Sequence, residues 1–325
     1  MFKKISAIVI PTLIAAGIII YMLLSVWDEL LIALQHVVPL YIVPAVLVCL
    51  LAWILRGARY MGILKSLQVK AGMLVSTACI FVSQTANLVI PARLGDLVRI
   101  FILKHEYDTS VSTGISSLVV ERLFDIIMVA LLGVLMLPFV LNVPQWFYMV
   151  IVAPLIIGAI FMVVLIALGR VKSENKYIRL ILTMLEEVRK ASLSVRSLLQ
   201  FSVLSVIIWL LDVAVCIFVV YMFGQSIGVP VIILAIVIGN LVKAVPLTPG
   251  GVGTYELAVA LVLQLSGVEP ALAFLIAVTD HLIKNLVTLI GGVISIYYLG
   301  DWVLSTIKSA FNKELGEGVD GNSGR

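Results

Sequence analysis

Short clusters of ionisable and helix-breaking residues interrupt an otherwise apolar chain. The most concentrated runs from Asn240 to Glu256 and reads NLVKAVPLTPGGVGTYE. It carries Lys243, Pro246, Pro249, three glycines at 250, 251 and 253, and Glu256. Proline removes a backbone donor and glycine opens positive φ, so both break regular helix. At membrane depth a broken backbone survives only where protein or a watery cavity satisfies its polar groups. The stretch therefore reads as a half-helix, a Pro/Gly turn and the N-terminal end of a second half-helix, as in transporter sites. A plain loop between two spans is the alternative. Backbone N–H groups at Gly250, Gly251 and Gly253 suit an anion, with Lys243, Thr248 and Glu256 alongside.

Three further clusters carry charge. Arg93 and Arg99 flank Gly95 and Asp96 in NLVIPARLGDLVR. This spacing suits phosphate capture from the inner leaflet, or ordinary positive anchoring with Asp96 as cap. Glu121, Arg122 and Asp125 share one helical turn in a long apolar segment. Arg122 there is placed to pair with a carboxylate or to grip a lipid phosphate bidentately. The alternative is an ion pair that only fixes helix packing. Asp280, His281 and Lys284 form the last cluster, with Asp280 and Lys284 at i,i+4 as a self-neutralising pair or, with Asp212, an ion path. A charge in the bilayer costs several kcal/mol, at about 3 on insertion scales, so such groups are paired or face water.

The composition fixes the setting. The 325 residues are 62% hydrophobic and only 12% charged, with a mean hydropathy of +1.20. Apolar runs long enough for a hydrocarbon core of about 30 Å recur along the chain. The expected fold is an all-α polytopic membrane protein with about six spanning helices and two re-entrant broken-helix regions. The formal charge of +4 sits beside membrane segments, so it points to cytoplasmic loops and not to nucleic acid. Cys49, Cys79 and Cys216 are too dispersed for a disulfide framework or a metal site.

In order, residues 1–36 hold a first, uncleaved span at Ile5–Val26. Residues 37–141 form a first repeat, with a span at 37–55 ending in the basic group Arg56, Arg59, Lys65 and Lys70. By the positive-inside rule these charges, and both termini, are cytoplasmic, and the localisation is the cell membrane. Residues 71–90 are polar for a span and are followed by Arg93, Arg99 and Lys104, so a re-entrant segment keeps the charge rule. The span at 111–141 follows. Residues 142–200 hold a return span at 147–168 and an amphipathic helix over 173–200. Residues 201–300 form a second repeat, with spans at 201–223 and 271–299 around the broken stretch 229–267. Residues 301–325 are a polar tail. Asn87-Leu88-Val89 matches Asn240-Leu241-Val242, and each broken stretch is followed by a helix with buried charge. On this topology the two units form an inverted repeat.

Three motifs stand in order: N-x-x-x-P-x-R-x-G-D-x-x-R from Asn87 to Arg99, E-R-x-x-D from Glu121 to Asp125, and P-x-T-P-G-G-x-G-x-x-E from Pro246 to Glu256. In these the chain resembles the lysylphosphatidylglycerol synthase transmembrane region, a flippase-like family of bacterial and archaeal membrane proteins. The resemblance implies a lipid-handling membrane domain over nearly the whole chain. Some relatives carry a soluble aminoacyl-transferase or glycosyltransferase domain, and no such domain is found here. Family members usually have an arginine where His281 aligns.

The expectation is a flippase or transporter of an anionic phospholipid or lipid-linked sugar. Arg93, Arg99 and Arg122 would take the headgroup, Gly250–Gly253 the phosphate, and Glu121, Asp125 and Glu256 the counter-charge. The rival is an anchoring subunit for a separately encoded lipid-modifying glycosyltransferase or aminoacyl-lipid synthase. No catalytic motif and no cofactor are expected. The expected partners are membrane lipids, and a homo-oligomer is left open.

Overall fold

The computed structural model describes residues 13, 16–24, 27, 35, 37–90, 93–140, 144–168, 175–245, 247–300, 302 and 303. Most of the first expected span, the tail from 304, Pro91 and Pro246 lie outside them. Among the described residues the chain is all-helical from residue 37 onward, as expected. The helices are α1 (Ile42–Ser66), α2 (Met73–Val89), α3 (Gly95–Tyr107), α4 (Val111–Met136), α5 (Gln145–Leu168), α6 (Lys176–Ser192), α7 (Val195–Met222), α8 (Val229–Ala244), α9 (Thr254–Leu265) and α10 (Pro270–Leu299).

Four stretches are long and apolar enough to cross a membrane: Pro39–Ser66, Gln145–Ala167, Val195–Met222 and Pro270–Leu299. Helix α4 also has the length, about 39 Å at 1.5 Å per residue, but carries Glu121, Arg122 and Asp125. Helices α2 and α8 are apolar and shorter, at 17 and 16 residues. Each covers only about 25 Å and falls short of the bilayer core.

Each short helix folds back on its successor. Between α2 and α3 the chain leaves helix at Ile90, and Arg93 takes the left-handed φ of 58°. Gly95 then lies against Asn87 N and Ser83 O, where a Cβ would fall within 2.6 Å of both. Between α8 and α9 the chain turns through Gly250, Gly251 and Gly253, at φ of 62°, 77° and 83°. The Glu256 carboxylate closes that turn by accepting the Gly253 N–H at 2.7 Å. Both stretches are therefore helical hairpins with irregular tips.

The tips meet. The Arg93 guanidinium donates to the Lys243 carbonyl at 3.2 Å, and Gly250 faces Leu88, which would crowd any side chain there. Around them the long helices cross between units. Helix α4 packs Gly114 on Ile100 of the first hairpin and Gly133 on Val237 of the second. Helix α10 touches the second hairpin through Asp280 and Tyr255 and the first through Thr85, which donates to the Thr288 carbonyl at 2.9 Å. Helices α1 and α7 pack against each other.

Two sequence boundaries shift. The expected amphipathic helix over 173–200 stops at Ser192. Ser194 then caps α7, its Oγ accepting the Ser197 N–H at 3.1 Å, so Val195 and Leu199 belong to the next long helix. Helix α6 is held to the protein as well as being amphipathic: Glu187 accepts from Ser112 and Ser116 of α4, at 3.1 and 2.7 Å. The second shift is at α1. Arg56 and Arg59, read as loop charges, lie inside a helix that runs on to Ser66. Tyr60, Ile63 and Leu64 are fully buried, and that apolar periodicity carries the helix past the arginines.

Candidate functional site

The hairpin tips, α1, α4, α7 and α10 enclose a cavity of about 440 Å³. Ten of the residues singled out from sequence line it: Arg93, Asp96, Glu121, Arg122, Asp125, Lys243, Thr248, Gly250, Gly251 and Lys284. Arg99, Gly253, Glu256, Asp280 and His281 stand behind that wall. Asp212, Arg56 and Asn240, named from sequence in other roles, line it too, and Gln84 and Asn285 add to its polar wall.

On the first-hairpin side the centre is Asp96, in the first turn of α3. Ser83 Oγ and Asn87 Nδ2 of α2 each donate to it at 2.9 Å. Arg122 Nη2 of α4 reaches its other oxygen at 3.0 Å. The next layer is closed. Arg99 is fully buried, pairs with Glu121 and lies 4.6 Å over the Tyr60 ring. Arg59 of α1 donates to Asp125 at 2.6 Å and to Ser205 Oγ of α7 at 2.7 Å. With partners fixed and no exposure, Arg99 and Arg59 serve as tie bolts between helices. Arg122 keeps 28% of its side chain exposed and faces the cavity. Sequence alone ranked Arg99 with the headgroup ligands; burial against Glu121 takes it out of reach.

On the second-hairpin side Lys243 Nζ lies 2.9 Å from His281 Nε2. His281 Nδ1 lies 2.7 Å from Glu256 Oε1. Beside this chain, Tyr255 donates to Asp280 at 2.7 Å and Lys284 to the same carboxylate at 2.8 Å, the expected i,i+4 pair. Two of the three glycine N–H groups expected for an anion are engaged within the turn itself. The Gly251 and Val252 N–H groups bond to Thr248 and Pro249 carbonyls at 3.1 Å, and the Gly253 N–H goes to Glu256. The turn also contributes shape: a Cβ on Gly251 would collide with the Lys243 side chain.

Between the halves, Arg56 Nη2 of α1 meets Asp212 of α7 at 2.5 Å, which makes Asp212 one member of a structural pair. Two matching arrangements result. In each unit an acid in the first turn of the second hairpin helix faces a base on the following long helix: Asp96 with Arg122, and Glu256 with His281. Each base is preceded by an acid, Glu121 or Asp280, and followed three residues later by an ionisable group, Asp125 or Lys284. Among the described residues no group of three or more His, Cys, Asp or Glu is set to hold a metal ion.

Against known families, the model described as "Lysylphosphatidylglycerol synthase TM region" matches residues 8–292. The chain belongs to that family. Its similarity extends to the glycosyltransferase AglD of Haloferax volcanii, 32% identical over 315 residues, covering 82% of this chain. The match takes in 50% of AglD, so the chain spans about half the length of that relative. A UPF0104 membrane protein of Methanocaldococcus jannaschii is 26% identical over 232 residues, 69% of this chain and 97% of that protein. Another, from Methanothermobacter thermautotrophicus, is 21% identical over 300 residues, 83% and 89% of the two chains. No solved structure matches. This family member is thus an integral membrane protein with a polar, charge-lined cavity at the meeting point of two broken hairpins.

Proposed function

We propose that the protein moves an anionic, phosphate-bearing lipid, a phospholipid or a lipid-linked sugar, between the two leaflets of the cell membrane. The observation that carries this is the cavity itself. It lies where two hairpins too short to span meet tip to tip, and both tips supply its cations. A lipid headgroup there would exchange water for Arg93, Arg122 and Lys243, while its chains stay among the apolar outer faces of the helices. The paired acid–base arrangements of the two units support an inverted repeat: units 37–141 and 201–300 enter from opposite faces, with both termini cytoplasmic. The test is lipid scrambling in proteoliposomes with fluorescent anionic and zwitterionic lipids, comparing the protein with Arg122→Ala. Movement of the anionic lipid that falls in the variant supports the reading; no movement in either folded protein refutes it.

One observation favours a second reading. A relative named as a glycosyltransferase matches this chain over half of its own length. A membrane unit that presents a lipid carrier to a separately encoded transferase fits that match. Co-purification with such an enzyme, without lipid movement, would support it.

A further inference from the structure

The charges around the cavity leave a remainder, and it falls at one place. The five arginine or lysine to carboxylate pairs described above neutralise themselves. Lys243 and Glu256 close on one another through the two nitrogens of His281. Arg93 is left over: its guanidinium donates to a backbone carbonyl, and no carboxylate pairs with it among the described residues. It lines the cavity beside Lys243.

His281 decides whether that remainder is one charge or two. Its neighbours are Lys243 of α8, Tyr255 and Glu256 of α9, and Asp280 and Lys284 of its own helix. An ammonium has only hydrogens to give, so Nε2 accepts from Lys243 and Nδ1 donates to Glu256. That is a neutral imidazole. With it the site carries one uncompensated cation. A monoanion then balances the site, whereas a dianion leaves a net negative charge in a poorly solvated space, which is costly.

We propose that His281 sets the charge of the accepted headgroup, so that Arg93 and Lys243 take a phosphodiester monoanion in preference to a phosphomonoester dianion. This rests on the reading of the cavity as a headgroup site. It is tested by binding alone, so its failure is separate from a failure of transport.

The measurement is equilibrium binding to the full chain in neutral detergent at about pH 7, where a phosphomonoester is mostly doubly charged. The probes are dioleoylphosphatidylglycerol, dioleoylphosphatidic acid and the soluble headgroup glycerophosphoglycerol. The expected result is about tenfold tighter binding of phosphatidylglycerol than of phosphatidic acid. Arg93→Gln loses most of that affinity and Arg93→Lys retains it. His281→Arg, which adds a permanent charge, moves the ratio toward phosphatidic acid. Glycerophosphoglycerol competes, because the phosphate is what is recognised. Phosphatidic acid binding as tightly as phosphatidylglycerol would overturn the proposal, as would an unchanged ratio in folded His281→Arg. Failure of the soluble headgroup to compete at any concentration would place the preference in the acyl chains and overturn it too. Should His281→Arg not fold, the Arg93 pair decides: equal affinity in Gln and Lys variants rejects the proposal.

Discussion

Arg99 and Arg122 provide a comparison in which burial separates stability from activity. Both are arginines paired with a carboxylate across α3 and α4, yet Arg99 is fully buried and Arg122 keeps 28% of its side chain exposed. Arg99→Gln leaves Glu121, itself only 4% exposed, with Arg59 at 3.6 Å as its remaining cation. Removing one member of a buried pair costs about 3–5 kcal/mol, and the partial substitute puts this case near the lower end. Arg122→Gln leaves Asp96 with Ser83 and Asn87 still donating at 2.9 Å. Those donors still hold the carboxylate, so the loss is about 1–2 kcal/mol, roughly that of one charge-assisted hydrogen bond. Thermal unfolding in detergent should therefore show a larger loss for Arg99→Gln. Lipid movement, normalised to folded protein, should fall mainly in Arg122→Gln. The double change Arg99→Gln, Glu121→Gln should recover part of the stability, because it removes the orphaned charge. Equal destabilisation by the two single variants would refute the division into structural and cavity-facing arginines. So would equal loss of normalised transport.

Two other outcomes follow from the architecture. In a background where the three native cysteines are buried, Asp108→Cys and Glu269→Cys at the outer ends of the two hairpins should react with an impermeant maleimide from opposite membrane faces; labelling of both from one face rejects the inverted repeat. Gly57→Ala should destabilise by about 1–3 kcal/mol, because its Cβ would strike Thr77 Oγ1 where α1 crosses α2, and Thr77→Ala should restore only part of the loss, since its Cβ would still lie 2.9 Å from the new one; an unfolding profile unchanged by Gly57→Ala would show that the contact is not close.

What sequence could and could not show has a physical pattern. The broken tips were legible because proline and glycine act locally: Gly250, Gly251 and Gly253 all adopt positive φ. The Asp280–Lys284 pair was legible because i,i+4 fixes it within one helix. Partners across helices were not. Arg59 meets Asp125 and Ser205, residues 66 and 146 positions away, and no local spacing announces that. Reading Arg56 and Arg59 as loop charges ended the helix too early, since arginine after an apolar run looks like a boundary, whereas the helix runs on to Ser66. The corrective signal was the burial period carried by Tyr60, Ile63 and Leu64. Arg99 misled for a related reason: its motif marks a charged turn, while its burial depends on Glu121 one helix later.

The way the units interlock limits how a headgroup could pass. Helix α10 follows the second hairpin yet packs Gly291 and Gly292 on Phe81 and Thr85 of the first, so closely that any Cβ would collide. Helix α4 follows the first hairpin and packs Gly133 on Val237 of the second. Wholesale rocking of one unit against the other would have to unpack both close-packed seams together. At the tips, among the described residues, a hydrogen bond from Arg93 to the Lys243 carbonyl and the contact of Gly250 with Leu88 join the hairpins, and the net worth of such a bond is only about 1 kcal/mol. The Arg93 donor is also the cation with which no carboxylate pairs among the described residues. A phosphate that drew Arg93 away from that carbonyl would loosen the tips at the same moment as it was bound. On the transport reading, the headgroup itself then releases the junction in its path, and the two long helices remain in place.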